Sequence, residues 1–334
     1  MNALVSFLAV VALVVIALAG IGLGAGAGAD VVFGVIIPYA AILLFLVGFV
    51  VKVLTWAKAP VPFRIPTVAG QAESLDFIPQ QKLESPSTGG QVFVRMVLEV
   101  LFFRSLFRNT RADMKAGPRI VYGADKLLWA AAMLFHWTFL IIFLRHLRFF
   151  TEPVPFWISG IESLDAFFEV TVPALYLTNI LIVVGLGWLL LRRFLEPQVR
   201  YISLASDYFP LFLLFGVVIS GVFLRYLTKT DVVAIKELAM GLLSFKFAVP
   251  EGIGAQFYVH LFLVSALIAY FPFSKLMHLP GVFLSPTRNL ANNNRKVRHV
   301  NPWNPEVKKH EFDHWKEEFA EEIAEAGYEL EERE

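Results

Sequence analysis

Apolar stretches of about 20 residues recur along the chain, which is the length at which an α-helix crosses the hydrocarbon layer of a bilayer. They fall at roughly 4–23, 33–56, 124–147, 170–194, 207–228 and 255–277. The pattern predicts an all-α, polytopic membrane helical bundle of about six transmembrane helices. Pro38, Pro173, Pro210 and Pro272 lie at or inside these stretches, where neighbouring helices tolerate them. No Lys or Arg precedes the first stretch, so the basic leader of a secretory signal is missing. Although "GAGAGAD" at 24–30 faintly resembles a cleavage site, 4–23 is read as a retained span.

Two polar segments break the pattern. "GGQVFVRMVLEVLFFRSLFRNTRAD" (89–113) is apolar but carries Arg95, Glu99, Arg104, Arg108 and Arg111. It is expected to form one amphipathic helix on the cytoplasmic membrane face. From about 286 the chain turns polar and mixed in charge, with Trp303, Phe312, Trp315 and Phe319 spaced along it. A helix is expected within 306–326. This extended C-terminal tail cannot form a core alone, and its aromatic residues suit contact with another subunit. The domain reading is two N-terminal spans at 1–56, a loop with the amphipathic helix at 57–123, a four-helix core at 124–280, and a partner-binding tail at 281–334.

Composition agrees with a membrane protein: 57% of residues are hydrophobic and 17% charged, against about a quarter charged in soluble domains. Net charge is +1, so no global field points to nucleic acid. There is no cysteine, which excludes disulfides, protein-held iron–sulfur clusters, thiolate zinc sites and covalent c-type haem attachment. Lys and Arg number nine in 57–123, three in 192–206 and nine from 275 onward, against none in 24–32, two in 145–169 and four in 225–254. The positive-inside rule then puts both termini in the cytoplasm, with the protein in a prokaryotic cytoplasmic membrane.

The candidate chemistry lies in histidines, which are costly in lipid and functional by default there. Of seven, His136 and His146 fall on the third stretch, and His260 and His278 on the sixth. Their separations correspond to ~15 Å and ~27 Å along straight helices. Eighteen residues are five whole turns, so His260 and His278 are expected on one face. Two histidines at two depths on two helices suit two haems b stacked across the bilayer, each taking one imidazole from each helix. The two helices run in opposite directions, which pairs His136 with His278 near the cytoplasm and His146 with His260 near the outside. The unequal separations need a tilt or a bend at Pro272 to match. Arg145 and Arg148 flank His146 and are candidates for haem propionates or a quinone; snorkelling to the interface is the plain alternative. "HEFDH" at 310–314 spells H-E-x-x-H, but with no third ligand or cleft it is read as a solvated helix face.

The pairs His136/His146 and His260/His278 have the His-x9-His and His-x17-His spacings of the respiratory nitrate reductase gamma-subunit family, which this chain resembles over about 124–280. Its extra N-terminal span, "VRMVLEVLFFRSLFRNTRAD" and "NPWNPEV" resemble the branch associated with dissimilatory sulfite reduction (DsrM-type). The resemblance implies menaquinone or menaquinol as the membrane substrate. It also implies a cytoplasmic iron–sulfur partner related to heterodisulfide reductase (DsrK-like), bound through the tail 286–334 and the loop 57–123, and further membrane and periplasmic subunits. The family's quinone-site lysine has no match here, which leaves Arg148, Tyr258 and Arg225 as quinone candidates by location. A haem-free membrane anchor and a transporter are the rival readings; the absence of internal repeats and of mid-span carboxylates speaks against the latter.

Overall fold

The computed structural model describes residues 1–24, 28–59, 81–115, 117, 119–166, 175–228, 230–292 and 310–328. Most of the 57–123 loop's first third, "NPWNPEV" and Pro173 thus lie outside the described residues. Six helices are long and apolar enough to cross a membrane: Asn2–Leu23, Ala29–Ala57, Lys126–Phe149, Leu177–Leu195, Ala205–Tyr226 and Ala255–Phe273. They are called spans 1 to 6 below. The expected all-α membrane bundle is therefore what the chain forms. A bilayer offers no partners to backbone N–H and C=O groups, so only segments that satisfy them internally can cross. Large apolar side chains such as Leu43, Val47, Phe143 and Val184 point outward, as a lipid-facing surface requires.

The spans pack in an open arc. Span 1 lies against spans 5 and 6, span 2 against span 6, span 5 against spans 4 and 6, and span 4 against span 3. Val10, Ala17, Phe33, Leu213, Tyr258, Val259 and Leu263 form the core of the thicker end of the arc. Spans 3 and 4 approach closely because Gly185 has no side chain: a Cβ there would stand 3.0 Å from the Phe135 backbone nitrogen. Spans 3 and 6 are not a closely packed pair among the described residues.

The two ends of the bundle differ. At one end lie the start of span 1, the end of span 4 and the start of span 5, tied by Asn2 Nδ2 to Ser203 O (3.1 Å) and Ser6 Oγ to Ala205 O (2.8 Å). Here the expectation of one helix over 89–113 is corrected. Helix Gly89–Phe102 stops where Phe103 turns left-handed (φ 50°), a short helix Arg104–Phe107 follows, and Thr110–Lys115 pairs antiparallel with Arg119–Ala124. Charge also lies opposite to a freely solvated helix. Arg95 and Glu99 are buried, with Arg95 donating to Glu84 O (2.9 Å) and Glu99 accepting from Ser105 N (3.0 Å), while Phe93 is 69% exposed. The apolar face is turned outward because the loop at 81–88 takes up Arg95 and Ser105 takes up Glu99. Trp129 and Trp137 of span 3 donate to Phe102 O (2.8 Å) and Leu101 O (3.1 Å), which fastens the helix to the bundle. The other end carries helices Phe156–Asp165 and Val232–Leu243.

Candidate functional site

His136 and His278, 142 residues apart in sequence, meet at the end that carries helix Gly89–Phe102. Their ring centroids are 6.0 Å apart and the ring planes nearly perpendicular, at 83°. His136 Nδ1 lies 2.7 Å from Ala132 O, and His278 Nδ1 lies 2.7 Å from Lys275 O. A carbonyl only accepts, so each Nδ1 carries the proton and donates it. Each Nε2 is then left as a lone-pair donor, which is the state of an imidazole prepared to bind a metal.

The chain reaches this arrangement by abandoning the helix. The α-helix of span 6 ends at Tyr270, and the 3₁₀ turns Phe271–Phe273 and Lys275–Met277 carry it to His278. Pro272, fully buried, stands in the first of them and supplies no N–H to continue an α-helix. The expectation that His260 and His278 share one face through five whole turns is therefore corrected. The ~27 Å separation assumed one uninterrupted α-helix, which the chain does not form between His260 and His278.

His146 and His260 lie within electrostatic reach of each other. His146 Nδ1 donates to Ile142 O at 2.7 Å. His260 Nδ1 lies 2.8 Å from Ser220 Oγ on span 5, and Ser220 gives its own proton to Val217 O (3.0 Å). The hydroxyl oxygen is thus the acceptor and His260 the donor, so Nε2 is again the unprotonated nitrogen. Gly221 lets the ring approach span 5: a Cβ there would stand 3.3 Å from His260 Cε1.

The donor set fits bis-imidazole haem. His136 and His278, with ring centroids 6.0 Å apart, would offer two neutral imidazoles to one haem iron. Span 3 carries His136 and His146, span 6 carries His260, and His278 follows span 6; span 3 packs on span 4, and span 6 on span 5. His136 and His260 are half-buried, and His146 and His278 exposed.

The arginines have protein partners. Arg145 pairs with the buried carboxylate of Asp165, donates to Thr178 Oγ1 (3.1 Å) and stacks 3.3 Å from the Tyr176 ring centroid. Asp165 also accepts from Thr178 N (2.8 Å) and Thr178 Oγ1 (2.5 Å). Arg145 Nε is buried with no hydrogen-bond partner among the described residues. Arg148 pairs with Glu162 (2.7 Å). Arg225 lies over the other contact of Tyr176 at 3.8 Å, and Tyr258 is buried against Gly34. Sequence reasoning missed Ser220, Gly221, Asp165 and Phe103. The Phe103 ring stands edge-on to His136 at 4.9 Å. Only Asp165 left a signal, as one of two carboxylates, with Glu162, in the segment 156–165.

The profile of the nitrate reductase gamma subunit family matches residues 93–299, a stretch that includes all four histidines. Two similar chains are described as "Hdr-like menaquinol oxidoreductase cytochrome b-like subunit". One, from Archaeoglobus fulgidus, is 44% identical over 282 residues, covering 82% of this chain and 84% of the relative. The other, from Archaeoglobus profundus, is 41% identical over 276 residues, covering 80% and 82%.

Proposed function

This chain belongs to the nitrate reductase gamma subunit family, and on that premise we propose that it is a di-haem cytochrome b that exchanges electrons with menaquinone or menaquinol. One haem b is held by His136 and His278 and the other by His146 and His260. The electrons pass to or from a cytoplasmic iron–sulfur subunit related to heterodisulfide reductase, within a larger complex of sulfur or sulfite metabolism. The carrying observation is that all four imidazoles donate from Nδ1 to an oxygen and keep Nε2 for a metal.

When bound, the two haems supply one-electron transfer through the apolar layer. The chain's residues do the rest. The Nδ1–H bonds fix ring orientation and raise ligand basicity. The apolar walls of spans 3 to 6 keep water away and set the dielectric. Arg145 is held beside His146 by its ion pair with Asp165, and its remaining Nε–H suits a propionate. Asp165 already accepts three hydrogen bonds, which suits holding Arg145 rather than receiving a quinol's proton. Quinol oxidation releases its protons on the side of the His146–His260 pair, with Arg148, Tyr258 and Arg225 as the nearest candidate contacts. Both termini, the 57–123 loop and the tail 286–334 lie on the cytoplasmic side, where the iron–sulfur partner docks. The division at 56, 123 and 280 separates the two N-terminal spans, the loop, the haem core and the tail.

The test is haem per polypeptide, by pyridine haemochrome assay and reduced-minus-oxidised spectrum on the purified chain. Two haems b are expected. One haem would leave a single pair as ligands, and none in a folded sample would return the chain to a membrane-anchor role.

A further inference from the structure

The tail holds a cluster that electron transfer does not use. His310 lies just before helix Phe312–Glu318, His314 is inside it, and Glu318 is its last residue. The two imidazole centroids are 5.2 Å apart. His310 Nδ1 lies 3.2 Å and His314 Nδ1 3.9 Å from the same carboxylate oxygen, Glu318 Oε2. One ligand atom from each residue falls within 4.8 Å of the other two.

We propose that His310, His314 and Glu318 bind a divalent transition-metal ion, with zinc the best match to two imidazoles and a carboxylate. Atoms bound to one tetrahedral zinc at about 2.0–2.1 Å lie about 3.4 Å apart. Two of the measured separations already bracket that value. The three side chains are exposed, so they can close the remaining distance by rotamer changes without moving the backbone. An ordinary surface ion pair would need one imidazole and is worth about 0–1 kcal/mol. Two imidazoles on one carboxylate oxygen repel each other when both are protonated, whereas a metal takes both neutral.

The local sequence explains the geometry. His314 and Glu318 are spaced by four on one face of the helix, and His310 reaches the same carboxylate from just before the extended Glu311 cap. The H-E-x-x-H match is therefore misleading about its glutamate: Glu311 stands at the N-cap, and the third ligand is Glu318. The three side chains are exposed, which suits a site that orders structure. A seven-residue helix does not sustain itself in water. An ion joining the residue before it to its last residue would hold it closed. It would also fix the aromatic strip, in which Phe312 and Trp315 stack at 6.0 Å and Trp315 and Phe319 stand at 5.7 Å. The fourth coordination position remains for water or for a side chain of a docked partner.

The site stands independently of the haem reading, and its test keeps the two apart. The untagged full chain in detergent is stripped with chelator and dialysed against graded zinc, and zinc and iron are counted together by mass spectrometry. One zinc per chain with saturable binding is expected. Outer-shell partners alone are worth about 10–100-fold in metal affinity, so His314→Ala and Glu318→Gln should each weaken binding by at least roughly tenfold. Glu311→Gln should leave it unchanged. Failure of the wild-type chain to retain zinc, or equal retention by the His310→Ala/His314→Ala double variant, would overturn the proposal. The iron count reports haem separately, and its constancy among these variants shows that the bundle has folded.

Discussion

The two histidine pairs are held by different means. At His136–His278 both Nδ1 groups donate to main-chain carbonyls, of Ala132 and Lys275, and Phe103 covers one ring from helix Gly89–Phe102. At His146–His260 one donor meets the carbonyl of Ile142 and the other the hydroxyl of Ser220. The ends differ in charge in the same way. Arg145 and Asp165 form a buried one-to-one pair, 12% and 3% exposed, whereas Glu84 faces Arg104, Arg108 and Arg95 in a wetter loop. The difference teaches where each pair is vulnerable. The first depends on backbone path, which no single side chain supplies. The second depends on particular side chains, which one substitution removes.

The largest effect should come from the proposed haem ligands. His136→Ala and His260→Ala should each lower haem from two to one per chain, and the haem that remains should differ between the two variants in midpoint potential. Identical residual spectra and potentials would erase the distinction between the pairs.

Next is the contrast in charge. Asp165→Ala leaves the Arg145 guanidinium buried and uncompensated, a loss of about 3–5 kcal/mol for a broken buried pair. Glu84→Ala should cost much less, because Glu84 is 22% exposed and Arg108, one of its partners, 55%. Thermal unfolding of the two variants in detergent measures the ratio, and equal losses would refute the contrast.

Smaller still is the acceptor of His260. Ser220→Ala should weaken retention of one haem about 10–100-fold and move only that potential, with Ser220→Thr restoring both. Phe103→Ala should perturb only the other haem. Redox titration of each variant, read against the single-ligand variants, tells which potential has moved.

The smallest effect is a pH dependence confined to one end. Burial pushes the Glu84 carboxyl up, but the Arg104 hydrogen bond and the charges of Arg104, Arg108 and Arg95 outweigh it, so its pKa lies below the ordinary value. The folded state thus binds this proton more weakly than the unfolded chain. Its stabilisation is complete above the ordinary glutamate range and is lost as pH falls through the lowered value. Hydrogen exchange in helix Gly89–Phe102 should rise on acidification before it does in helix Phe156–Asp165.

The sequence by itself determined the six spans, because about 20 apolar residues have one stable conformation in hydrocarbon. It also marked the four histidines, since a polar ring among residues such as "WTFLIIFL" stands out without any contact information. The helix break at Tyr270 was half legible: Pro272 announced a disturbance, but not two 3₁₀ turns that end the helix. The stop of the amphipathic helix at Phe103 was not legible, for an aromatic residue in left-handed conformation carries no local signal of the kind glycine gives. What only the tertiary structure decided was who meets whom. Ser220 accepts from His260 because span 5 lies beside span 6, and Asp165 meets Arg145 because helix Phe156–Asp165 folds back on span 3. These partnerships are long-range and made by single side chains, so the periodicity that reveals a helix contains no trace of them.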